Sequence, residues 1–441
     1  MIKRSTICFC VLGVSVALAQ APPADSGFIL QGGTVHTIDG PVIENGSVLV
    51  HNGKIVGVGK NLTAPAGYKV IDVHGQQVYP GMIDAASMIG MEKSSSSEAS
   101  DAKEMGLLNP QLRAESALNP SSEEIPMSRA NGVTSAMEMP EGDLIAGQMS
   151  LVHLDGSPND EMTVVPVTAI HLQFPAIVTL PMKPHEPDGD DDEPGTAAEL
   201  VPLSFSEAKV DHDEKMEQLN RFFEDARHYQ QAKLANAPGF RTDLRFEAML
   251  PVLAGTTPMF VTAVREREIR EAIEFADTQK IKIILADAYE SYKVLPLIKS
   301  HNIAVVLGPT LQLPLDRDDA YDQSFNIPAA LYKAGIKFCI GTFSSKQTRN
   351  LPYQAAAGVP FGLPKDEAYK SVSLNAAEIF GVGSKLGSIT EGKTADLIVS
   401  DGDPLEPSTH VNMVFIDGKA AGVDTRQKQL YEKYKTAPGH K

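Results

Sequence analysis

Apolar positions along this chain change their spacing twice. Near the start, Phe28-Ile29-Leu30, Thr34 to Ile38, Gly46 to Val50 and Lys54 to Val58 are short apolar runs separated by turn residues, which predicts strands. Asn52-Gly53 between the last two is a strong hairpin signal, because both central residues of such a turn need positive φ. In the middle, Ile281 to Ala286 and Ile303 to Leu307 are nearly continuous apolar runs, as expected of strands covered on both faces. Between Val264 and Lys280, Ile269, Ala272, Ile273 and Ala276 fall at i, i+3, i+4 and i+7, one face of a helix. Near the end, Ala395 to Val399 and Met413 to Gly418 return to the strand pattern.

Strand-helix repetition through the long middle favours a barrel over a doubly wound sheet. The expected architecture is therefore α/β: a TIM-type (β/α)8 barrel over residues 81–385, with a small β-sandwich built from both chain ends, 20–80 and 386–424. The tail, 425–441, has little apolar content and reads as a surface helix.

Residues 1–19 have the form of a secretory signal. Lys3 and Arg4 precede an apolar core from Ile7 to Leu18, and Ala17-Leu18-Ala19 gives a small-x-small cleavage site. The expected location is secreted or periplasmic. No other stretch is long and apolar enough to span a bilayer, so no membrane span is expected. Of three cysteines, Cys8 and Cys10 fall in this leader, leaving Cys339 in an apolar run that reads as a strand and excluding an intramolecular disulfide in the remainder. The formal charge of −17 argues against nucleic acid or an anionic membrane as a partner. Segment 183–200 concentrates Asp188, Asp190, Asp191, Asp192 and Glu193 among prolines and glycines, which reads as a solvated loop. Clustered carboxylates also suit a hard cation, but the spacing does not match an EF-hand.

Three blocks carry a family resemblance. The first is Val78-Tyr79-Pro80-Gly81-Met82-Ile83-Asp84-Ala85-Ala86-Ser87-Met88, and the second runs from Gly335 through Gly341-Thr342 to Gly362-Leu363-Pro364. The third is Ser373 to Gly381, followed by Gly387-Ser388-Ile389-Thr390-Glu391-Gly392-Lys393-Thr394-Ala395-Asp396-Leu397. Together they resemble the amidohydrolase superfamily, in particular exported imidazolonepropionase-like members, over nearly the whole chain beyond the leader. The resemblance implies an active site at the C-terminal ends of the barrel strands. It also implies one or two divalent metals, typically zinc, which activate water and polarise an amide or imide carbonyl.

The residues that would carry this chemistry are replaced. The His-x-His of the first barrel strand becomes Ala86-Ser87-Met88. The histidine expected after Pro258 to Val261 becomes Thr262, and the aspartate expected after Gly341-Thr342 becomes Phe343. Alanine and phenylalanine have no lone pair to donate, methionine sulfur is too soft for a hydrolytic zinc, and threonine is a poor ligand. His171 and Asp287, near strand ends, are the candidate acid-base groups that remain. No histidine pair has HExxH or HxH spacing, and no Gly-x-Ser-x-Gly elbow or phosphate loop occurs.

Two readings follow. In the first, the chain has lost metal-dependent hydrolysis, needs no cofactor, and binds a small-molecule ligand at the barrel mouth, lined at Ala86, Met88, Thr262 and Phe343. By analogy it could also pair with an active amidohydrolase relative. In the second, it is a hydrolase of non-peptide C–N bonds with an unconventional site, using His171 and Asp287 and, if a metal is present, zinc.

Overall fold

A computed structural model describes residues 27–91, 102–157, 159–179 and 203–435. The leader at 1–19, the acidic segment at 183–200 and the last residues of the tail lie outside the described residues. No helix among the described residues is long and apolar enough to cross a membrane.

The chain first lays down β1 (Phe28–Val35), β2 (Ile43–His51), β3 (Lys54–Lys60), β4 (Lys69–Asp72) and β5 (Gln77–Pro80). It then enters a second sheet through β6 (Met82–Ser87), β7 (Val133–Glu138), β8 (Ile145–His153) and β9 (Thr163–Gln173). This sheet continues through β10 (Met259–Ala263), β11 (Ile283–Asp287), β12 (Ala304–Leu307) and β13 (Phe338–Ile340). The chain finally returns to the first sheet with β14 (Leu397–Ser400), β15 (Val411–Ile416) and β16 (Lys419–Ala421).

The first sheet runs β16-β15-β14-β5-β1-β2-β3, with β4 beside β1, so both chain ends build it. The Asn52-Gly53 turn joins β2 to β3, with φ of 47° and 73° at its two residues, the mirror-image turn its sequence specifies. The sheet curls over its own core: Phe28 on β1 stacks on Phe415 on β15 with ring centroids 4.7 Å apart.

The second sheet runs in order from β6 to β13. Neighbours are parallel except at β8, which is antiparallel to both β7 and β9. This departs from the strict (β/α)8 repeat expected from the sequence. The links from β7 to β8 and from β8 to β9 are too short to hold a crossover helix, so the strand between them must reverse direction. The outer strands meet at β6 and β13, where the Phe343 N–H donates to the Ala86 carbonyl at 2.8 Å. Asp84 on β6 reinforces this seam by accepting the Thr342 N–H at 2.9 Å and the Thr342 hydroxyl at 2.5 Å.

Helices cover the outside. Helix Glu266–Gln279 buries the expected stripe of Ile269, Ala272, Ile273 and Ala276, together with Phe275. The Glu268 carboxylate receives the N–H groups of Val264 and Arg265 and so caps the helix start. Helix Phe205–Leu234 packs on it through His212, whose Nε2 lies 3.1 Å from Glu271. His212, Leu219, Phe222 and Phe223 of this helix are buried, although its sequence alternates charges. Arg129 joins barrel to sheet, donating to Gly422 O at 2.7 Å and to Leu154 O at 2.9 Å while pairing with Asp155.

Gly341 sits at the seam, where a Cβ would lie 2.8 Å from both Ala86 N and Ala86 Cβ. Gly341→Ala is expected to lower unfolding free energy by about 2–3 kcal/mol through this overpacking. Gly59→Ala, where a Cβ meets nothing within 4 Å, should be close to neutral. Urea denaturation of the two variants checks this, and equal stability would show that the seam is not tight.

Candidate functional site

The barrel interior is built by residues that alternate inward along each strand. Ile83, Met137, Met149, Leu151, Ala169, Phe260, Ile284, Val306 and Cys339 form one buried apolar cluster. Above them, toward the C-terminal ends, the positions singled out in the sequence come together unequally. Ala86 and Phe343 are joined by the seam hydrogen bond. The Phe343 ring stacks on Phe260 at 6.2 Å, and Phe260 meets the edge of His171 at 5.8 Å. His171 Nε2 lies 2.9 Å from Thr262 Oγ1. Met88 is not part of this group, because it packs with Met91, Ala102 and Ala114 in a neighbouring cluster. Between Asp84 and Ser87 the register with β7 shifts, just before Met88.

His171 is fully engaged. Its Nδ1 lies 2.6 Å from the Pro140 carbonyl, which can only accept, so Nδ1 carries the proton. Nε2 then holds the lone pair and accepts from the Thr262 hydroxyl. Burial pulls the imidazole down to about 4, only partly offset by the hydrogen bond to Pro140, so the ring is neutral. The one electron pair that could bind a metal is committed to the residue standing where a ligand histidine would be.

Asp287 stands apart from His171. It ends β11, one residue past the Ala286 that pairs with Thr262. Asp287 and Ala288 both have left-handed backbone, φ 63° and 38°, a conformation that costs energy at residues other than glycine. The Asp287 carboxylate lies so close over Gly308 that a Cβ there would sit 2.1 Å from Oδ1. Removal from water raises this carboxyl to about 6, with the charge of Glu268 adding to the shift. No hydrogen bond joins the two candidate acid-base residues.

Two buried acids were not singled out in the sequence. Asp84 is raised to about 6 by burial, against the hydrogen bonds from Thr342 and Ala86 that pull it down. Glu138 at the end of β7 is fully buried, and neither carboxylate oxygen has a hydrogen-bond partner. Burial, then the charge of Asp84, pushes it well above the usual carboxylate range, so it is held as the neutral acid. The available signal was a lone Glu in an otherwise apolar and small-residue strand, which the family motif overshadowed.

Zinc needs three or four donors in one cluster. Ala86 and Phe343 offer none, Met88 lies elsewhere, and His171 and Thr262 satisfy each other. Among the described residues no group of three or more His, Cys, Asp or Glu side chains is placed to hold a metal. The residues at this mouth do not fit the metal the family resemblance implies.

The closed sheet with a separate sheet domain is an α/β fold of the metal-dependent-hydrolase type. The amidohydrolase family model matches residues 253–421. This segment of the chain is thus similar to the amidohydrolase family. The chain is 42% identical over 67 residues to amidohydrolase tasK of Hapsidospora irregularis, a stretch covering 15% of this chain and 7% of that relative. The matched segment is thus a small part of that relative's length. Among solved structures, an amidohydrolase from Thermotoga maritima MSB8 superposes with TM-score 0.75 at 24% identity, covering 90% of this chain and 99% of its own. A Xaa-Pro dipeptidase with bound methionine superposes with TM-score 0.52 at 15% identity, covering 90% of this chain and 100% of its own.

The Asp84 shift fixes a sign for pH dependence. Its folded value, about 6, lies above its ordinary value of 3.8, so the folded state binds the proton more tightly. Stability contributed by this group is complete below about pH 4 and is lost as pH rises through about 6. The loss is at most about 3 kcal/mol, from the size of the shift at 1.36 kcal/mol per unit. Urea unfolding of the wild type and of Asp84→Asn at pH 4.5 and pH 7 should show the wild type losing stability relative to the variant on going to the higher pH. A constant difference at both values would show that Asp84 is ionised throughout.

Proposed function

We propose that this chain is an exported amidohydrolase-superfamily protein that no longer performs metal-dependent hydrolysis and uses its barrel mouth to hold a small ligand. Pairing with an active amidohydrolase relative is a further use of the same fold. The observation that carries this reading is the bond between His171 and Thr262. At the mouth of a working metal site, a histidine in place of Thr262 would direct its lone pair at the metal. Here the hydroxyl takes up the lone pair of the neighbouring imidazole, and the Phe343 ring over Phe260 occupies the aspartate position. The mouth is lined by apolar groups and one neutral imidazole, which suits an uncharged, partly apolar ligand.

The test is metal content. The full chain, purified without chelator or a metal-binding tag, should carry far less than one zinc, iron or manganese per chain by plasma mass spectrometry. Its melting temperature should not change with excess zinc or with chelator. Near one metal per chain, or a clear rise in melting temperature with zinc, would sink the proposal.

A second reading is favoured by Asp287. A half-buried carboxyl raised to about 6 on a strained strand end is the kind of group a hydrolase uses as general base. Under this reading the chain cleaves non-peptide C–N bonds in an amide or cyclic imide. The rate would rise with pH through about 6 and fall at least a hundredfold in Asp287→Asn. Hydrolysis that survives Asp287→Asn unchanged would remove this reading.

A further inference from the structure

A second cavity lies at the other end of the barrel. Its volume is ≈ 420 Å³, and it opens where the segment after β1, strand β5, helix Lys365–Ser371 and the loop after β14 meet. Pro80 leads directly into β6, so this is the end where the barrel strands begin, away from the mouth.

Its floor is a column of rings. His36 stacks on Tyr79 with centroids 3.9 Å apart and planes 6° from parallel, and Tyr79 meets Tyr369 at 4.7 Å. The His36 ring is held in orientation by Nε2 donating to Gln77 Oε1 at 2.8 Å. Tyr369 donates to the Pro80 carbonyl at 2.7 Å. The Tyr79 phenol makes no hydrogen bond among the described residues. Burial, then the charges of Asp403 and Asp366, hold its phenol protonated. Its oxygen is therefore left to a ligand or to water. The wall contributes Ile38, a β-branched residue held at φ 74°, where such residues rarely occur.

The charges at the rim are unbalanced. Lys365 pairs with Asp403 and lies 3.9 Å from Glu406, and Lys370 pairs with Glu367 at 2.9 Å. Both ammonium groups are thus already matched by carboxylates. Asp366 lines the cavity and has no such partner among the described residues. A flat aromatic face beside a free carboxylate and a phenol oxygen has the chemistry of a cation-π site.

We propose that this cavity binds a small planar organic cation, of the amidinium or guanidinium class, stacked on His36 and paired with Asp366. The proposal is independent of what happens at the barrel mouth. Benzamidinium chloride is the probe, titrated calorimetrically into the full chain, with sodium benzoate as the charge-reversed control. Saturable binding of one benzamidinium per chain is expected, and Asp366→Asn should weaken it about tenfold. His36→Ala should weaken it further, while Thr262→Val at the mouth should leave it unchanged. Asp366 is exposed, so its variant should melt at the wild-type temperature. The proposal is overturned if benzamidinium fails to bind, if Asp366→Asn binds it as tightly as the wild type, or if benzoate binds as well.

Discussion

Everything at the barrel mouth rests on one carboxylate, Asp84. A twisted sheet leaves two unpaired edges, and a barrel must join them. Here the joining strand β13 is only three residues long, so its ladder is short. Asp84 on β6 compensates by taking both the N–H and the hydroxyl of Thr342, just past the end of β13. The Thr348 hydroxyl and Ser87 Oγ, 2.8 Å apart, extend the same buried network into the segment that follows. A buried carboxylate without these donors would be strongly destabilising. With them it fixes the register in which Phe343 donates to Ala86. The residues at two lost ligand positions have thus become backbone partners across the seam.

The electrostatics of the mouth follow from one cause, removal from water. His171 is pulled down, while Asp84, Asp287 and Glu138 are pushed up, and desolvation is the first cause in each case. A resident divalent cation would act in the opposite sense on the acids, favouring their charged forms. The side chains themselves are arranged for neutrality. The imidazole spends its proton on a carbonyl and its lone pair on a hydroxyl, and the aromatic rings of Phe260 and Phe343 lie beside it.

Much of the fold was legible because its signals are local. The helix at 266–279 was fixed by the spacing of Ile269, Ala272, Ile273 and Ala276, and the hairpin at Asn52-Gly53 by the φ its turn demands. The strand carrying Cys339 was visible from its apolar run, and the residue is fully buried. The reversal of β8 was not legible, because an apolar strand reads the same in both directions and only the length of its links reveals its orientation. Ala86, Thr262 and Phe343 were singled out from the motif as the residues standing at the family's ligand positions. The packing of Met88 with Met91, Ala102 and Ala114 was not legible, since that contact depends on the path of the segment after β6. His171 was found as a residue but not as a partner of Thr262, because that contact depends on the pairing of β9 with β10.

The two ends of the barrel now differ in a way that bears on which of them can recognise a ligand. At the mouth, polar groups have been paired with one another or neutralised, and the space between them is apolar. At the opposite end, the buried Tyr79 phenol has no hydrogen-bond partner among the described residues, beside the exposed carboxylate of Asp366. Buried or half-buried groups without partners cost free energy unless something else satisfies them. The strained backbone at Ile38 adds to that cost at the same place. Selection for stability alone would remove such features, as it could have done at the mouth. The junction of the two sheets is thus where unpartnered polar groups and a strained backbone coincide, whereas at the mouth the polar groups are paired with one another.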